Sequence, residues 1–235
     1  MTGIVIITFN LDTRIFILQI ESIKRFCLDE YTIEVIDNST NDELAEAIRY
    51  HAKEQNVNYR RTMPGDNDPS TSHAFAANIS YGMLKDQYDY FLYLDHDCIP
   101  VKQFSVVEIL GDKVIAGLLQ GQSVTKYLWP GCVMWNNTKI DKSLIDFSHN
   151  SKLRIDTGGN FYKIIERYGY EEVILFDEIG CQNPYFQDTF YYFYMLINNK
   201  TFIHFLNSSN WRKVDRNGER INTLLNITEN LINSL

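Results

Sequence analysis

The feature that most constrains the fold is an alternation of short apolar runs and helical segments over the first hundred residues. The runs cover residues 3–9, 32–36, 57–61 and 90–94, and the first of them is a continuous β-branched run, which is typical of a buried parallel strand. Segments with helical periodicity lie between them at residues 14–26, 42–55 and 72–85. This order predicts an α/β fold with a mostly parallel sheet, helices on both faces and a ligand crevice at the carboxyl ends of the strands.

Polar side chains follow all four predicted strands. They are Thr8, Asn10 and Asp12 after the first strand, Asp37, Asn38 and Ser39 after the second, Arg61 after the third, and Asp95 and Asp97 after the fourth. Because parallel strands end at one edge of a sheet, we expect these side chains to converge. Asp95 and Asp97 repel each other, and a divalent cation, which prefers oxygen ligands, would remove that cost. The alternatives are an ordinary polar turn for this pair and a helix N-cap for Asp37.

The second half of the chain is less regular. Apolar runs predict strands at residues 114–118, 173–176 and 201–206, with a further apolar run at 127–135. Helical patterns follow the pair Gly158 and Gly159 as far as Tyr168, cover residues 190–198, and begin again at Ile221. The last helix either packs back on the domain or binds a partner. We therefore divide one compact domain into a first half, residues 1–100, and a second half, residues 101–235.

Composition and charge argue against several classes of protein. Hydrophobic residues make up 45% of the chain and charged residues 22%, which is enough for an ordinary core. The net charge is −8 and no basic run occurs, so nucleic acid is not an expected partner. Neither a G-x-G-x-x-G sequence nor a P-loop sequence is present, which argues against dinucleotide oxidoreductases and P-loop enzymes.

The four cysteines lie far apart and have no C-x-x-C spacing, which argues against zinc ribbons and a dense disulfide framework. Reduced thiols in a cytosol are the simple interpretation. The chain shows no secretory signal pattern and no apolar run of about 18 residues, so we expect no transmembrane segment. We expect a cytoplasmic protein, and a peripheral position at a membrane stays open as an alternative.

Several stretches resemble GT-A fold glycosyltransferases, and family 2 of these enzymes most of all. The stretches are Ile-Ile-Thr-Phe-Asn at 6–10, Val-Ile-Asp-Asn-Ser-Thr-Asn-Asp at 35–42, Ala76-Ala77-Asn78 with Gly82, Leu94-Asp95-His96-Asp97, and Gln187-Asp188. They are similar to the family's first strand, its V-V-D-x-S-x-D stretch, its A-x-N-x-G helix, its D-x-D motif and its Glu-Asp pair. Two positions depart from the family: Ser72-His73 stands where a glycine is usual, and Gln187 where a glutamate is usual.

The resemblance implies a metal-dependent transfer of a sugar from a nucleotide-diphosphate donor to a hydroxyl group. A UDP-sugar is the favoured donor, and a glycan, a lipid-linked sugar or a protein would be the acceptor. In the family's pattern Asp97 would bind the metal directly, and Asp95 would bind the ribose or reach the metal through water. His204 is the candidate third ligand, with a structural histidine as its alternative. An imidazole ligand favours manganese, and magnesium is the alternative.

The remaining site residues also follow from the resemblance. Thr8, Asn10, Asp37 and Arg61 would line the pocket for the nucleoside. An inverting transfer needs a general base for the acceptor hydroxyl. Asp188 is the first choice because it matches the family's pair, and Asp156, just before two glycines, is the second.

Other functions on related folds stay open from the sequence. A retaining transferase would use the same fold and donor. A nucleotidyltransferase should carry a glycine-rich basic loop after the first strand, and residues 9–12 are not such a loop. A non-catalytic protein that binds nucleotide sugars is the third alternative. The three tryptophans, Trp129, Trp135 and Trp211, are candidates to stack on a sugar face, with the core as their alternative.

Overall fold

A computed structural model describes residues 1–62, 69–121, 125–149, 157–181, 194–205 and 219–234. Its β-strands are β1 (Thr2–Thr8), β2 (Tyr31–Asp37), β3 (Asn58–Arg61), β4 (Tyr90–Asp95), β5 (Cys98–Pro100), β6 (Ile115–Gln120), β7 (Tyr127–Asn136), β8 (Val173–Leu175), β9 (Glu178–Cys181), β10 (Tyr194–Ile197) and β11 (Phe202–Phe205). Its α-helices are α1 (Thr13–Phe26), α2 (Asp42–Glu54), α3 (Pro69–Leu84), α4 (Val106–Leu110), α5 (Tyr162–Tyr168) and α6 (Glu219–Asn233). Short 3-10 helices lie at Lys142–Leu144, Gly159–Phe161 and Tyr170–Glu172.

A seven-stranded sheet forms the centre of the molecule, with the order β3-β2-β1-β4-β7-β6-β8. The pairs β1–β2, β1–β4, β2–β3 and β6–β8 are parallel. Strand β7 runs antiparallel to both of its neighbours, β4 and β6. The α/β class and the mostly parallel sheet predicted from the sequence are therefore confirmed.

The sheet is buried on both faces, which explains the continuous apolar runs of its first strands. Ile4 and Ile6 of β1 pack in one hydrophobic cluster with Phe16 of α1. Val5 and Ile7, which alternate with them, pack in a second cluster with residues of α3 and α5. The helices between the parallel strands thus cover opposite faces of the sheet, as the alternation of the sequence predicts.

A second sheet of four antiparallel strands, in the order β5-β11-β10-β9, lies beside the end of β4. Strand β5 begins just after Asp97 and pairs with β11, so that Cys98 lies opposite His204. The helix predicted at residues 190–198 is wrong over Tyr194–Ile197, which form β10. A short aromatic and apolar run has no distinctive period, and the backbone here pairs with β9 and β11.

Helix α6 packs back on the domain, which decides between its two predicted arrangements. Leu224 is fully buried in the same cluster as α1, and Ile221 and Ile232 are also buried there. Arg14 of α1 donates a hydrogen bond to Asn222 Oδ1 at 2.9 Å. Over the described residues, the structure has no helix that is both long and apolar enough to cross a membrane.

Candidate active site

The carboxylate of Asp37 lies at the end of β2 and joins the ends of three neighbouring strands, and it is fully buried. Its Oδ1 accepts hydrogen bonds from Thr8 Oγ1 at 3.2 Å and from the backbone N–H of Ser39 at 2.9 Å. Its Oδ2 accepts one from the Tyr59 hydroxyl at 2.7 Å, and burial together with this bond raises the pKa of Tyr59. Helix α2 is capped by Asn41, so the N-cap alternative for Asp37 is wrong. Contact of Asp37 with a nucleoside stays a prediction.

Asn10 and Arg61 lie at the rim of the same strand ends. Asn10 has a φ of 46°, and its backbone N–H donates to Ser39 Oγ at 2.8 Å. Its Oδ1 accepts from the N–H of Asn41 at 3.0 Å, which ties the loop after β1 to the loop after β2. Arg61 donates to the Ser39 carbonyl at 3.2 Å and to Asp42 Oδ1 at 2.6 Å. The hydrogen bond to Asp42 raises the pKa of Arg61, and this ion pair holds the guanidinium at the rim.

Asp95 ends β4 and faces His73 in the first turns of α3. His73 Nε2 lies 2.7 Å from Asp95 Oδ1, and the two side chains are 25% and 22% exposed. Burial opposes ionisation of Asp95, but the charge and the hydrogen bond of His73 outweigh it and hold the pKa of Asp95 below its usual value. The sequence analysis noted His73 only as a departure from the family's pattern. The contact arises from the packing of α3 on β4, which no local pattern shows.

Asp97 and His204, two of the predicted metal ligands, lie together. His204 Nε2 is 3.6 Å from Asp97 Oδ1, and both side chains are nearly buried. The antiparallel pairing of β5 with β11 brings them together, and the N–H of Phe205 donates to the Asp97 carbonyl at 3.0 Å. The Nδ1 atom of His204 is buried and has no hydrogen-bond partner in the described part of the chain.

Trp129 and Gly131 on β7 complete this cluster. The indole of Trp129 packs on the imidazole of His204, with ring centroids 4.3 Å apart. A Cβ atom on Gly131 would lie 2.0 Å from Trp129 Cζ2 and 2.5 Å from Asp95 Oδ2. Only a glycine therefore leaves room for the indole and the Asp95 carboxylate in this arrangement. The sequence analysis considered Trp129 for sugar stacking, and it identified no role for Gly131.

Gln19 of α1 holds the turn that carries the two aspartates. Its side chain is fully buried, and its Nε2 donates to the carbonyls of Asp95 at 2.9 Å and Cys98 at 2.8 Å. The sequence analysis missed this residue. Its signal is a polar residue within the apolar stripe of a helix, midway between Ile15 and Ile23.

Three of the residues that the sequence analysis singled out lie outside the described residues. They are the two candidate bases, Asp156 and Asp188, and Trp211. Their roles stay predictions. Trp135 is fully buried against Phe91 and Tyr93 of β4, so the core alternative is right for this tryptophan.

The donors near Asp97 suit a divalent metal in type, although they do not form a complete site. Within the described residues, no three side chains of His, Cys, Asp or Glu are grouped so that they could hold a metal ion. Asp97 and His204 supply one carboxylate and one imidazole, a pair of donors that manganese accepts. The residues therefore fit a metal ion whose other ligands come from a bound ligand or from water.

A mostly parallel sheet with one antiparallel strand beside β4, a D-x-D sequence at the end of β4 and a small second sheet define a GT-A glycosyltransferase fold. Solved structures agree with this assignment. The glycosyltransferase LgtC, solved as an active-site mutant, matches with a TM-score of 0.50 at 15% sequence identity, over 74% of this chain and 72% of LgtC. The mannosyltransferase PcManGT from Pyrobaculum calidifontis, in complex with GDP-Man and Mn2+, matches with a TM-score of 0.52 at 12% identity, over 74% of this chain and 54% of that protein.

At these identities the likeness establishes the fold alone. The predicted GT-A fold is confirmed, and the finer resemblance to family 2 stays a prediction. No protein-family model matches the chain, and no curated protein matches it either.

Proposed function

We propose that the protein is a metal-dependent glycosyltransferase that moves a sugar from a nucleotide-diphosphate donor to a hydroxyl group. One observation carries this proposal: at the end of β4 in a GT-A fold, the second aspartate of the D-x-D sequence lies 3.6 Å from an imidazole on β11. A metal ligand set of carboxylate and imidazole at the carboxyl ends of parallel strands suits a diphosphate. The Mn2+ and GDP-Man bound to the mannosyltransferase of the same fold support a nucleotide sugar and a metal.

Each residue of the cluster would have a distinct part in this reaction. Asp97 and His204 would hold the divalent cation, manganese by preference, and Asp95 would bind the ribose or reach the cation through water. When bound, the cation neutralises charge on the diphosphate leaving group. His73 and Gln19 orient the carboxylate and the backbone of Asp95, so that the donor meets a preformed site.

The nucleoside would lie at the ends of β1, β2 and β3. Asn10 and Arg61 are at the rim of this region, and Thr8 and Asp37 form its floor. Uridine is favoured as the base through the family resemblance. The acceptor hydroxyl belongs to a glycan, a lipid-linked sugar or a protein, and its proton passes to Asp188, or to Asp156, as the general base. With Asp188 as the base the transfer inverts the anomeric centre, and a retaining transferase is the alternative.

Asp97→Asn tests the proposal, because it keeps the shape of the side chain and removes its charge. In the wild type, UDP or a UDP-sugar with Mn2+ should raise the free energy of unfolding by about 2.7 kcal/mol at a hundredfold excess over Kd. The variant should lose the part of this gain that depends on Mn2+, and it should lose Mn2+-dependent release of UDP from UDP-sugars. Asp112→Asn, at a side chain that is 82% exposed, is the matched control and should behave as the wild type does.

Two results would contradict the proposal. One is a wild-type protein that no nucleotide or nucleotide sugar stabilises, with or without Mn2+. The other is an Asp97→Asn variant whose Mn2+-dependent stabilisation and turnover equal those of the wild type. Stabilisation without any turnover would instead identify a non-catalytic nucleotide-sugar binding protein.

A further inference from the structure

The imidazole of His204 is buried, but no hydrogen bond in the described part of the chain fixes its orientation. Its Nδ1 is buried without a hydrogen-bond partner in the described part of the chain, and its Nε2 lies 3.6 Å from Asp97 Oδ1, which is longer than a hydrogen bond. Metal-binding histidines usually have their ring held by a hydrogen bond from the other nitrogen. Here the ring must be held by something else.

In the described part of the chain, the indole of Trp129 packs on this imidazole. Its ring centroid lies 4.3 Å from that of His204, and the two planes are inclined by 42°. At this distance the tilted indole is in van der Waals contact with the imidazole. Rotation of the His204 ring would have to displace the larger indole.

Close packing on both sides of β7 restricts the position of Trp129. On its own side, the edge of the indole fills the space that a Cβ of Gly131 would occupy, 2.0 Å from Trp129 Cζ2. On the opposite side, Pro130 packs against Gly158, where a Cβ would lie 2.8 Å from the proline ring and where φ is +76°. The three residues Trp129, Pro130 and Gly131 therefore form a rigid support under the cluster.

We infer that Trp129 is a positioning residue: its indole fixes the imidazole of His204 in the orientation that binds the metal ion. This inference rests on the proposed metal site, and it adds a residue that acts on the metal through another side chain. The packed indole takes the place of the missing hydrogen bond at Nδ1. Trp129 would then act on metal affinity and leave the binding of the nucleoside unchanged.

The position of Trp129 provides a spectroscopic test. Mn2+ is paramagnetic and quenches the emission of an indole that is close to it. Trp135 lies on the same strand but is buried on the other face of the sheet, against Phe91 and Tyr93, with no contact to His204. Trp135→Phe is therefore the matched control for Trp129→Phe.

The experiment measures Mn2+ binding in the presence of saturating UDP, by the electron paramagnetic resonance signal of free Mn2+. Trp129→Ala should weaken Mn2+ binding about tenfold, and Trp129→Phe, which keeps a flat ring, should weaken it less. The affinity for UDP without metal should stay that of the wild type in both variants. Mn2+ should quench the emission of the wild type and of Trp135→Phe, and most of that quenching should disappear in Trp129→Phe. Circular dichroism checks that each variant is folded.

The outcomes separate this inference from the proposed function. If the wild type binds Mn2+ but Trp129→Ala binds it equally well, the positioning role is wrong and the metal site stands. If Trp129→Phe retains full quenching, Trp129 is not beside the metal, which also overturns the inference. If the wild type binds no Mn2+ with UDP, the proposed metal dependence fails, and this inference fails with it.

Discussion

At the scale of single residues, the candidate site depends on the absence of a side chain at Gly131. Trp129 and Asp95 approach this glycine from different elements, and their atoms lie where a Cβ would be. The volume that a Cβ on Gly131 would need is already filled, and close-packed protein interiors tolerate little overlap between atoms. Gly131 therefore determines how closely β7 can bring an indole to the carboxylate of Asp95.

Gly131→Ala should destabilise the protein and weaken the site. The added Cβ would lie 2.0 Å from Trp129 Cζ2 and 2.5 Å from Asp95 Oδ2, so one of the two groups must move. We expect the free energy of unfolding, measured in urea, to fall by about 2 kcal/mol. We expect Mn2+-dependent binding of UDP to weaken as well, because Asp95 and the support of His204 both shift.

Gly82→Ala is the matched control, since a Cβ on this exposed glycine of α3 meets no atom within 4 Å. Alanine is the better helix former, so this variant should gain about 0.8 kcal/mol. If Gly131→Ala and Gly82→Ala change the free energy of unfolding equally, the crowding around Gly131 does not affect stability.

The sequence revealed those residues of the site whose signal lies along the chain. Asp95 and Asp97 stand at the end of an apolar run, and His204 stands within a later one. These three residues could therefore be identified from the sequence alone. The partners His73 and Gly131 could not, because their roles arise from contacts between elements distant in sequence. Asp37 was predicted as a pocket residue, but its hydrogen bonds to Thr8 and Tyr59 became visible only when β1, β2 and β3 were side by side.

At the scale of elements, α1 determines the geometry of the turn between β4 and β5. Gln19 donates to the carbonyls of Asp95 and Cys98, and Ser22, one turn later on α1, donates to the carbonyl of Pro100. These bonds supply donors to the carbonyls around the turn, since buried backbone acceptors are rarely left unpaired. Helix α1 thus supports the D-x-D turn from behind as well as covering the sheet.

Gln19→Leu should loosen this turn. The substitution keeps a similar volume and removes the donor for two buried carbonyls, which should lower the free energy of unfolding by about 3 kcal/mol. Mn2+ affinity should fall too, since the backbone of Asp95 loses its support. Gln87→Leu is a control of the same chemistry: Gln87 donates to the Met83 carbonyl at an exposed site, and its loss should change stability by less than about 0.5 kcal/mol. Urea unfolding of both variants decides the matter, and equal losses would contradict the supporting role of α1.

Elements with a strong period were predicted well, and short elements were not. The main strands and helices of the first half follow their predicted ranges within a few residues, because β1, β2 and β4 are largely buried and α1 and α2 each have an apolar stripe. Strands β5 and β9 and helix α4 are too short to have a detectable period. Strand β10 was taken for a helix because its aromatic residues carry hydrophobicity without alternation, and its pairing partners decided its structure.

At the scale of the whole molecule, the sheet is held together by buried tyrosine hydroxyls as well as by apolar contacts. Tyr88 donates a hydrogen bond to Glu34 Oε1 at 2.7 Å, and Glu34 is itself only 1% exposed. Burial, followed by this hydrogen bond, raises the pKa of Tyr88 to about 12. Burial also raises the pKa of three other tyrosines that pack on or near the sheet, Tyr59, Tyr81 and Tyr93.

These tyrosines make the whole fold sensitive to alkali. Each has a higher pKa in the folded state than in the unfolded chain, where tyrosine ionises near pH 10. As the pH rises above about 10, the unfolded chain loses protons that the folded protein keeps, so the free energy of unfolding falls. The slope should approach about 1.4 kcal/mol per pH unit for each such tyrosine until its folded pKa is reached.

Urea unfolding at a series of alkaline pH values measures this slope, and Tyr88→Phe assigns part of it. The variant has no hydroxyl to ionise at this position, so its stability should fall less steeply than that of the wild type between about pH 10 and about pH 12. Tyr50→Phe, at a tyrosine that is 60% exposed on α2, is the control and should leave the slope unchanged. If Tyr88→Phe and the wild type lose stability in parallel over this window, the buried hydroxyl beside Glu34 is not what makes the fold sensitive to alkali.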